Sequence, residues 1–301
     1  MRSSVYLSVL TFAVAAGVAP AAHAQRHADV SSAAVEGALG RKGAMQPGDV
    51  IKFSFPRTDL SVTKDGVTLK PALALGGWVA FKAIGKGESM VMGDLVLADD
   101  EVGPVMRALQ AGGVQQSALH NHILGETPHV MYMHIAAHGD AATIARTIHD
   151  ALAQTRTPLG PSAPPAAPSA TDLDTAGIAK ALGVAGKLNG VVYQVSVPRA
   201  EKITEMKHEV PPSMGVATAI NFQPTGGGKA AITGDFVLRA SEVNPVIRAL
   251  RDHGIAVTAL HSHMLDEEPR LFFMHFWAND DAVSLARGLR AALDQTKSKK
   301  N

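Results

Sequence analysis

The sequence has no cysteine, few aromatic residues and almost no excess charge of either sign. Its 301 residues include 28 Lys and Arg against 27 Asp and Glu, and only 5% are aromatic. The lack of cysteine excludes disulfides, thiolate metal sites, iron–sulfur clusters, a cysteine nucleophile and a lipid anchor on an N-terminal cysteine. The balanced charge gives no electrostatic reason to expect nucleic acid or an anionic membrane surface as a partner. Any metal must be bound by histidine, carboxylate, methionine or backbone oxygen.

The first 24 residues have the pattern of an export signal. Arg2 supplies a positive charge, residues 5–18 form an uncharged apolar stretch, and Ala22-His23-Ala24 fits the small-x-small pattern before a cleavage site. An N-terminal membrane anchor is the alternative, but the stretch is shorter than the roughly 20 residues that a membrane span needs. We therefore expect a signal peptide over residues 1–24, no membrane anchor after its cleavage, and a periplasmic or secreted protein.

The rest of the chain contains one sequence twice. The segment GDLVL at residues 93–97 recurs 141 residues later as GDFVL, and ALHNH at residues 118–122 recurs as ALHSH. Aligned without gaps, residues 93–134 and 234–275 are identical at 21 of 42 positions. A match of this length indicates a tandem duplication, which must be recognised before the fold is read.

The duplication divides the chain into two repeats and a linker. We assign repeat 1 to residues 25–155 and repeat 2 to residues 172–301. Residues 156–171 contain five prolines among mostly small residues, which predicts an extended, solvated linker.

Each repeat shows the same alternation of helical and strand patterns. The order is helix, three strands, helix, two strands and a final helix, which predicts an α+β fold with helices on one face of a mainly antiparallel sheet. The β-α-β-β-α core resembles a ferredoxin-like arrangement. We expect two such sheets to pack as a pseudo-dimer.

The second helix of each repeat has recognisable end signals. Asp100 and Ser241 are expected to be N-caps, and Pro104 and Pro245 are expected to lie in the first helical turn. Two strands should follow in repeat 1, over about residues 115–122 and 129–136.

Histidine is the most distinctive residue of the duplicated segment. Six of the 13 histidines are three residues present in both repeats. Residues two apart on a strand point to one face, so His120 and His122 should project together. The position of His134 depends on how the strands at about residues 115–122 and 129–136 pair. If the numbers of two directly opposed residues add up to an even value, His134 lies on the same face as His120 and His122; if the sum is odd, it lies on the other face. A loop glutamate adds a carboxylate. The predicted metal ligands are His120, His122, Glu126 and His134, and their counterparts His261, His263, Glu267 and His275.

Three imidazoles and a carboxylate suit a divalent transition metal such as Zn, Mn, Fe or Cu. The alternative is that the paired histidines are structural and hydrogen-bonded. No sequence feature indicates an organic cofactor, and no catalytic residue can be assigned. A small molecule or a metal ion is the expected ligand.

Other repeated polar residues carry weaker signals. Asp94 and Asp235, at the start of the GDLVL and GDFVL strands, could be further ligands, partners of a histidine, or turn caps. Arg57 and Arg199 should lie at strand ends, where an arginine could also attract an anion.

The duplicated motifs resemble a known family. GDLVL and GDFVL, the E-V-x-P-V-x-R-A-L helix and A-L-H-x-H-x-L-x-E-x-P are similar to the LppY/LpqO family of exported proteins. The resemblance covers both repeats and implies an exported, duplicated domain of unknown function. It implies no activity.

Two functional hypotheses follow. The first is an exported protein with a histidine-rich divalent-metal site in each repeat, which could extend to a metal-dependent enzyme of unknown substrate. The second is a non-enzymatic periplasmic ligand-binding or interaction module whose histidines are structural.

Overall fold

The computed structural model describes Met1, residues 32–161, residue 167 and residues 169–299. The predicted signal peptide, apart from Met1, lies outside the described residues. Repeat 1 contains helices α1 (Ser32–Leu39), α2 (Asp99–Ala111) and α3 (Ala141–Leu152). Its strands are β1 (Ala44–Gln46), β2 (Val50–Pro56), β3 (Thr63–Lys64), β4 (Val67–Thr68), β5 (Gly76–Gly85), β6 (Glu88–Ala98), β7 (Gln115–His120) and β8 (Val130–Gly139).

Repeat 2 has the same order of elements with one further short strand and a 3₁₀ turn at Pro212–Met214. Its helices are α4 (Thr175–Leu182), α5 (Ala240–Asp252) and α6 (Ala282–Leu293). Its strands are β9 (Lys187–Asn189), β10 (Val192–Pro198), β11 (Thr204–Glu205), β12 (His208–Glu209), β13 (Ala217–Gly226), β14 (Lys229–Leu238), β15 (Ala256–His261), β16 (Glu267–Glu268) and β17 (Phe272–Asp281).

Each repeat is built on a six-stranded antiparallel sheet. The strand order is β1-β2-β5-β6-β8-β7 in repeat 1 and β15-β17-β14-β13-β10-β9 in repeat 2. The α+β prediction is confirmed: there are two repeats, with antiparallel sheets and helices. The predicted β-α-β-β-α segment corresponds to β6, α2, β7, β8 and α3. Its strand β6 lies between β8 and β5, and β5, β2 and β1 extend the sheet beyond it, so the segment forms only part of a larger sheet.

Strand alternation gives each sheet two different apolar faces. In β2, Phe53 and Phe55 pack among residues of repeat 1 and its helices. Val50 instead packs with Val237 and Phe273 of repeat 2. Two of the four buried apolar clusters in the described chain therefore join the repeats. Helices cover one face of each sheet, and the other face packs against the other repeat.

The second helix of each repeat begins two residues earlier than the predicted N-caps indicated. α2 starts at Asp99 and α5 at Ala240, so Asp100 and Ser241 lie inside the helices and are not N-caps. The carboxylate of Glu101 instead accepts a hydrogen bond from the backbone N–H of Ala98 at 2.9 Å, and Glu242 does the same for Arg239 at 2.7 Å. A carboxylate on the third residue of a helix can accept from the free backbone N–H of the residue just before the helix.

The two prolines consequently lie beyond the first helical turn. Pro104 and Pro245 are each the sixth residue of their helix, where a proline removes one main-chain hydrogen bond. Both helices continue past them, so the rest of the helix compensates for that loss.

A buried arginine links the first turn of α2 to the sheet through hydrogen bonds. The Arg57 guanidinium donates to Glu101 at 2.7 Å, to the Val96 carbonyl at 2.7 Å and to Asp59 at 2.8 Å. Arg199 repeats the arrangement with Glu242 at 2.7 Å. Because their hydrogen-bonding capacity is used within the fold, these arginines are structural, and not anion sites. Within the described residues, no helix is long and apolar enough to cross a bilayer.

Candidate metal centre

The register of one hairpin places two of the predicted histidines on the same face of the sheet. His120 opposes Tyr132 and Ala118 opposes His134, so opposed residues have numbers with an even sum. His134 is therefore a diagonal neighbour of His120, and their ring centroids are 5.0 Å apart. The equivalent pair in repeat 2, His261 and His275, is 4.8 Å apart.

His122 reaches the same place from outside the strand. β7 ends at His120, so the strand predicted to continue to residue 122 is shorter than expected. The His122 ring nevertheless lies 5.0 Å from that of His120 and stacks on Tyr132 at 3.4 Å. In repeat 2, His263 stacks on Phe273 at the same distance.

The histidines of the two repeats meet each other. Each of the three predicted histidines of one repeat has a close partner in the other, with ring centroids 3.7 to 3.8 Å apart. We call this group the six-histidine cluster. The three pairs are His120 with His261, His122 with His275, and His134 with His263.

Reciprocal hydrogen bonds hold the two repeats at this junction. The Ser117 hydroxyl donates to the His263 carbonyl at 2.5 Å, and the equivalent Thr258 hydroxyl donates to the His122 carbonyl at 2.6 Å. Each contact is the counterpart of the other under the repeat correspondence. The junction therefore has pseudo-two-fold symmetry, as expected for two copies of one domain joined face to face.

Hydrogen bonds to backbone carbonyls set the proton position on four of the rings. The Nδ1 of His134 donates to the Gly93 carbonyl at 3.2 Å and that of His275 to Gly234 at 2.7 Å. His261 and His263 donate through Nδ1 in the same way. A neutral imidazole with its proton on Nδ1 has a lone pair on Nε2. Nε2 of these four rings is thus available as a ligand.

Four of the six rings are buried, and the environment of the cluster keeps five of them neutral. Burial and the neighbouring imidazoles lower the pKa of His120, His134, His263 and His275 well below the usual histidine range. Burial lowers the pKa of His122 to about 3. Neutral imidazole is the form that binds a metal ion.

Several of these nitrogens have no hydrogen-bond partner. Nε2 is buried without one in His122, His134, His261 and His263, and so is Nδ1 of His120. Buried polar atoms are nearly always satisfied in folded proteins, and a group of unsatisfied ones at one point requires an explanation such as a bound ion.

Two aspartates that the sequence indicated weakly border the cluster, Asp94 buried and Asp235 half-buried. Asp94 opposes His134 across β6 and β8, and its Oδ2 lies 3.4 Å from the His122 Nε2. The Asp235 Oδ2 lies 3.0 Å from the His263 Nε2. Burial raises the pKa of Asp94. A lone pair on His263 Nε2 facing a carboxylate oxygen needs a proton or a cation between the two atoms.

Two sets of three donor atoms lie within 4.8 Å of one another in the described chain. One consists of His120, His261 and His275, and the other of His134, His261 and His263. The sequence predicted one set per repeat, but both sets combine the repeats. The reason is that the histidine faces of the two sheets oppose each other, so the closest rings come from different repeats.

His122 and the two predicted glutamates belong to neither set. The Glu126 carboxylate accepts from the Val130 N–H at 3.3 Å, and Glu267 accepts from the Leu271 N–H at 2.8 Å and from Arg270. Each therefore satisfies the backbone where the next strand begins.

The repeats match a family model described as Domain of Unknown Function (DUF1259), over residues 33–154 and 176–295. The chain belongs to this family. The match confirms the internal repeat and the duplicated domain of unknown function. No curated protein matches this chain.

Three solved structures show a distant similarity. The trimeric bacterial microcompartment shell protein PduB is 13% identical, with 86% of this chain and 96% of that chain covered and a TM-score of 0.21. EtuB from Clostridium kluyveri is also 13% identical, with coverage of 83% and 90% and a TM-score of 0.19. A double ringed trimeric shell protein from the RMM microcompartment is 11% identical, with coverage of 70% and 84% and a TM-score of 0.18.

Proposed function

We propose that this protein binds a divalent transition-metal ion at the junction of its repeats. The observation that supports this most directly is the distance of 3.3 Å between the Nε2 atoms of His120 and His275, at which the two nitrogens share either a proton or a metal ion. Two imidazole nitrogens bound tetrahedrally to zinc at about 2.0–2.1 Å would lie roughly 3.4 Å apart. His261 completes this donor set. Three histidine ligands leave a fourth position for water or for a ligand, as in catalytic zinc sites.

We propose a single ion for each chain. His261 belongs to both donor sets, and its Nδ1 already donates to the Ser262 carbonyl at 3.2 Å. Only its Nε2 remains as a ligand, so the two sets cannot both be filled in this arrangement.

Metal analysis of untagged protein tests the stoichiometry. After treatment with a chelator and titration with zinc or cobalt(II), we expect one equivalent to bind. The cobalt(II) form should show the visible absorption of a tetrahedral site with nitrogen ligands. At a free metal concentration of about one hundred times Kd, binding should raise the melting temperature by roughly 5–10 °C.

Two equivalents would contradict the shared site and favour one ion per repeat. No bound metal would favour the alternative of a non-enzymatic binding or interaction module with structural histidines. The ring stacking of His122 on Tyr132 and of His263 on Phe273 is consistent with that alternative.

Substitution of the shared ligand tests the donor sets. His261→Ala should abolish stoichiometric binding, because it removes a donor from both sets. His149→Ala is the matched control, since His149 lies on α3 outside the cluster. Circular dichroism checks that both variants are folded. A folded His261→Ala protein that binds zinc as tightly as the wild type would refute the assignment.

We further propose that the protein is an exported member of the LppY/LpqO family and that it acts in the periplasm or is secreted. The motif resemblance and the pattern of residues 1–24 support this. A ferredoxin-like origin of the repeat is supported by the strand order β6-β8-β7 with α2 between β6 and β7. Cell fractionation, with N-terminal sequencing for cleavage after Ala24, tests the export proposal.

A further inference from the structure

A cleft between the repeats borders the six-histidine cluster. Among the residues that line it are Asp94, His122 and His134 from repeat 1 and Asp235, His263 and His275 from repeat 2. Residues of the cluster are therefore accessible to a molecule that enters the cleft.

The charged residues that line this cleft are mostly basic. In the described part of the chain the lining contains five basic residues but only two acidic ones, Asp94 and Asp235, and both of these border the cluster. Away from the cluster, the charged residues of the lining are therefore all basic. A cleft lined by one sign of charge concentrates ligands of the opposite sign. The basic residues are Arg41, Lys42, Lys52, Lys70 and Lys187.

Lys52 is the basic residue whose surroundings favour contact with a ligand. Its ammonium lies 3.9 Å from the centre of the Trp78 ring and donates to the Ser213 carbonyl at 3.3 Å. Neither of these neighbours carries a negative charge. Burial lowers the pKa of Lys52 to about 8, although attraction to Asp94 opposes the shift. A desolvated ammonium gains more from an anionic partner than a solvated one does.

Two of the other basic groups already have several partners. The Arg41 guanidinium donates to the carbonyls of Ser54, Pro158 and Gly160 and lies over the Phe55 ring. Lys42 pairs with a glutamate at 2.6 Å.

Lys52 has no basic counterpart in repeat 2. The counterpart of Lys52 in repeat 2 is Gln194. The counterpart of Trp78 is Ala219, because Trp78 opposes Asp94 in its sheet and Ala219 opposes the equivalent Asp235. Gln194 donates to the Ala72 carbonyl at 2.8 Å. The repeats therefore differ beside a nearly symmetric cluster, as expected if a ligand binds in one orientation.

We propose that this cleft binds a small organic anion, with its carboxylate or phosphate group on Lys52 and an apolar part against Trp78. The opposite end of the ligand reaches the six-histidine cluster. The role of that end rests on the proposed metal site, whereas the contact with Lys52 does not.

Binding of two probes, succinate and inorganic phosphate, tests the proposal. Each is titrated into chelator-treated and zinc-treated protein, and binding is followed by calorimetry and by the fluorescence of Trp78 and Trp277. We expect at least one probe to bind the wild type. Succinate alone would identify a carboxylate ligand, phosphate alone a phosphate ligand, and either result supports the proposal.

Lys52→Gln should weaken binding by roughly tenfold or more, because it removes the charge while retaining a side chain that the other repeat accommodates at this position. Lys52→Met provides a second, apolar replacement. Lys82→Gln is the matched control, since Lys82 also donates to a carbonyl, that of Gly48 at 2.9 Å, and lies outside the cleft.

The proposal is refuted if neither probe binds at millimolar concentration. It is also refuted if the Lys52 variants bind a probe as tightly as the Lys82→Gln control and the wild type do. Binding of the anion without any binding of zinc would refute the metal site and retain the anion site. Binding of zinc without any anion would do the reverse.

Discussion

Mild acid should destabilise this protein strongly, because the folded structure keeps five histidines of the six-histidine cluster neutral. Five of its histidines have pKa values lowered by burial, whereas in the unfolded chain each would titrate near pH 6.5. Below that pH the unfolded chain binds more protons than the folded one, so the free energy of unfolding falls as the pH falls.

The size of this effect follows from the number of groups. Between about pH 7.5 and about pH 5.5, each such histidine costs roughly 1.4 kcal/mol, so that five cost roughly 7 kcal/mol. Asp94 and Glu205 act in the opposite direction, because burial raises their pKa values, that of Glu205 to about 7, and the folded protein then binds a proton at higher pH than the unfolded chain does. These two carboxyls offset part of the loss. The net loss is comparable with the whole stability of many proteins, about 5–15 kcal/mol.

Urea unfolding of metal-free protein at the two pH values, followed by circular dichroism, measures this loss. The melting temperature should fall by roughly 10 °C or more. The exposed variant His149→Gln should retain the full pH dependence, whereas His122→Asn should reduce it because one titrating group is removed. Equal unfolding free energies at the two pH values would show that the cluster is open to water or protonated at neutral pH.

Two further predictions concern stability. Glu101→Gln should cost about 2–3 kcal/mol in urea unfolding, because it removes the more deeply buried of the two carboxylates that compensate the Arg57 charge and leaves only Asp59. Lys202→Gln, which breaks an exposed ion pair of 2.8 Å, should cost less than about 1 kcal/mol, and equal losses would contradict the role of burial. Tyr132→Phe should cost about 1 kcal/mol, since it removes one hydrogen bond to a carbonyl, and should leave zinc binding unchanged because Phe273 has the same position in repeat 2. Loss of zinc binding in that variant would show that the phenol takes part in the site.

Much of the local structure could be predicted from the sequence because two copies of one pattern were available. For example, Phe53 and Phe55 are two residues apart on a strand, so they lie on the same face, and this is the face that packs against the helices. The start of α2 was misplaced because Asp100 is an ordinary cap residue, whereas the amide of Ala98 is satisfied by Glu101 from inside the helix. Such a contact depends on a side-chain conformation that residue type alone does not specify.

No sequence pattern indicated Lys52 and Trp78 as candidate ligand contacts. A lysine between two buried positions of a strand could have indicated a polar face opposite the helices, because Ile51 and Phe53 point the other way. No pattern in one strand shows that this face borders a cleft formed with the other repeat.

The sequence by itself determined the duplication, the α+β class and the three histidines that recur in each repeat, because these depend on residue order and on periodicity within a strand or helix. Only the tertiary structure decided which histidines meet. The two sheets oppose each other across a pseudo-two-fold axis, so His120 lies 3.7 Å from His261, closer than to either histidine of its own repeat. That pairing depends on how two surfaces pack over the whole domain, and no local pattern of residues encodes it.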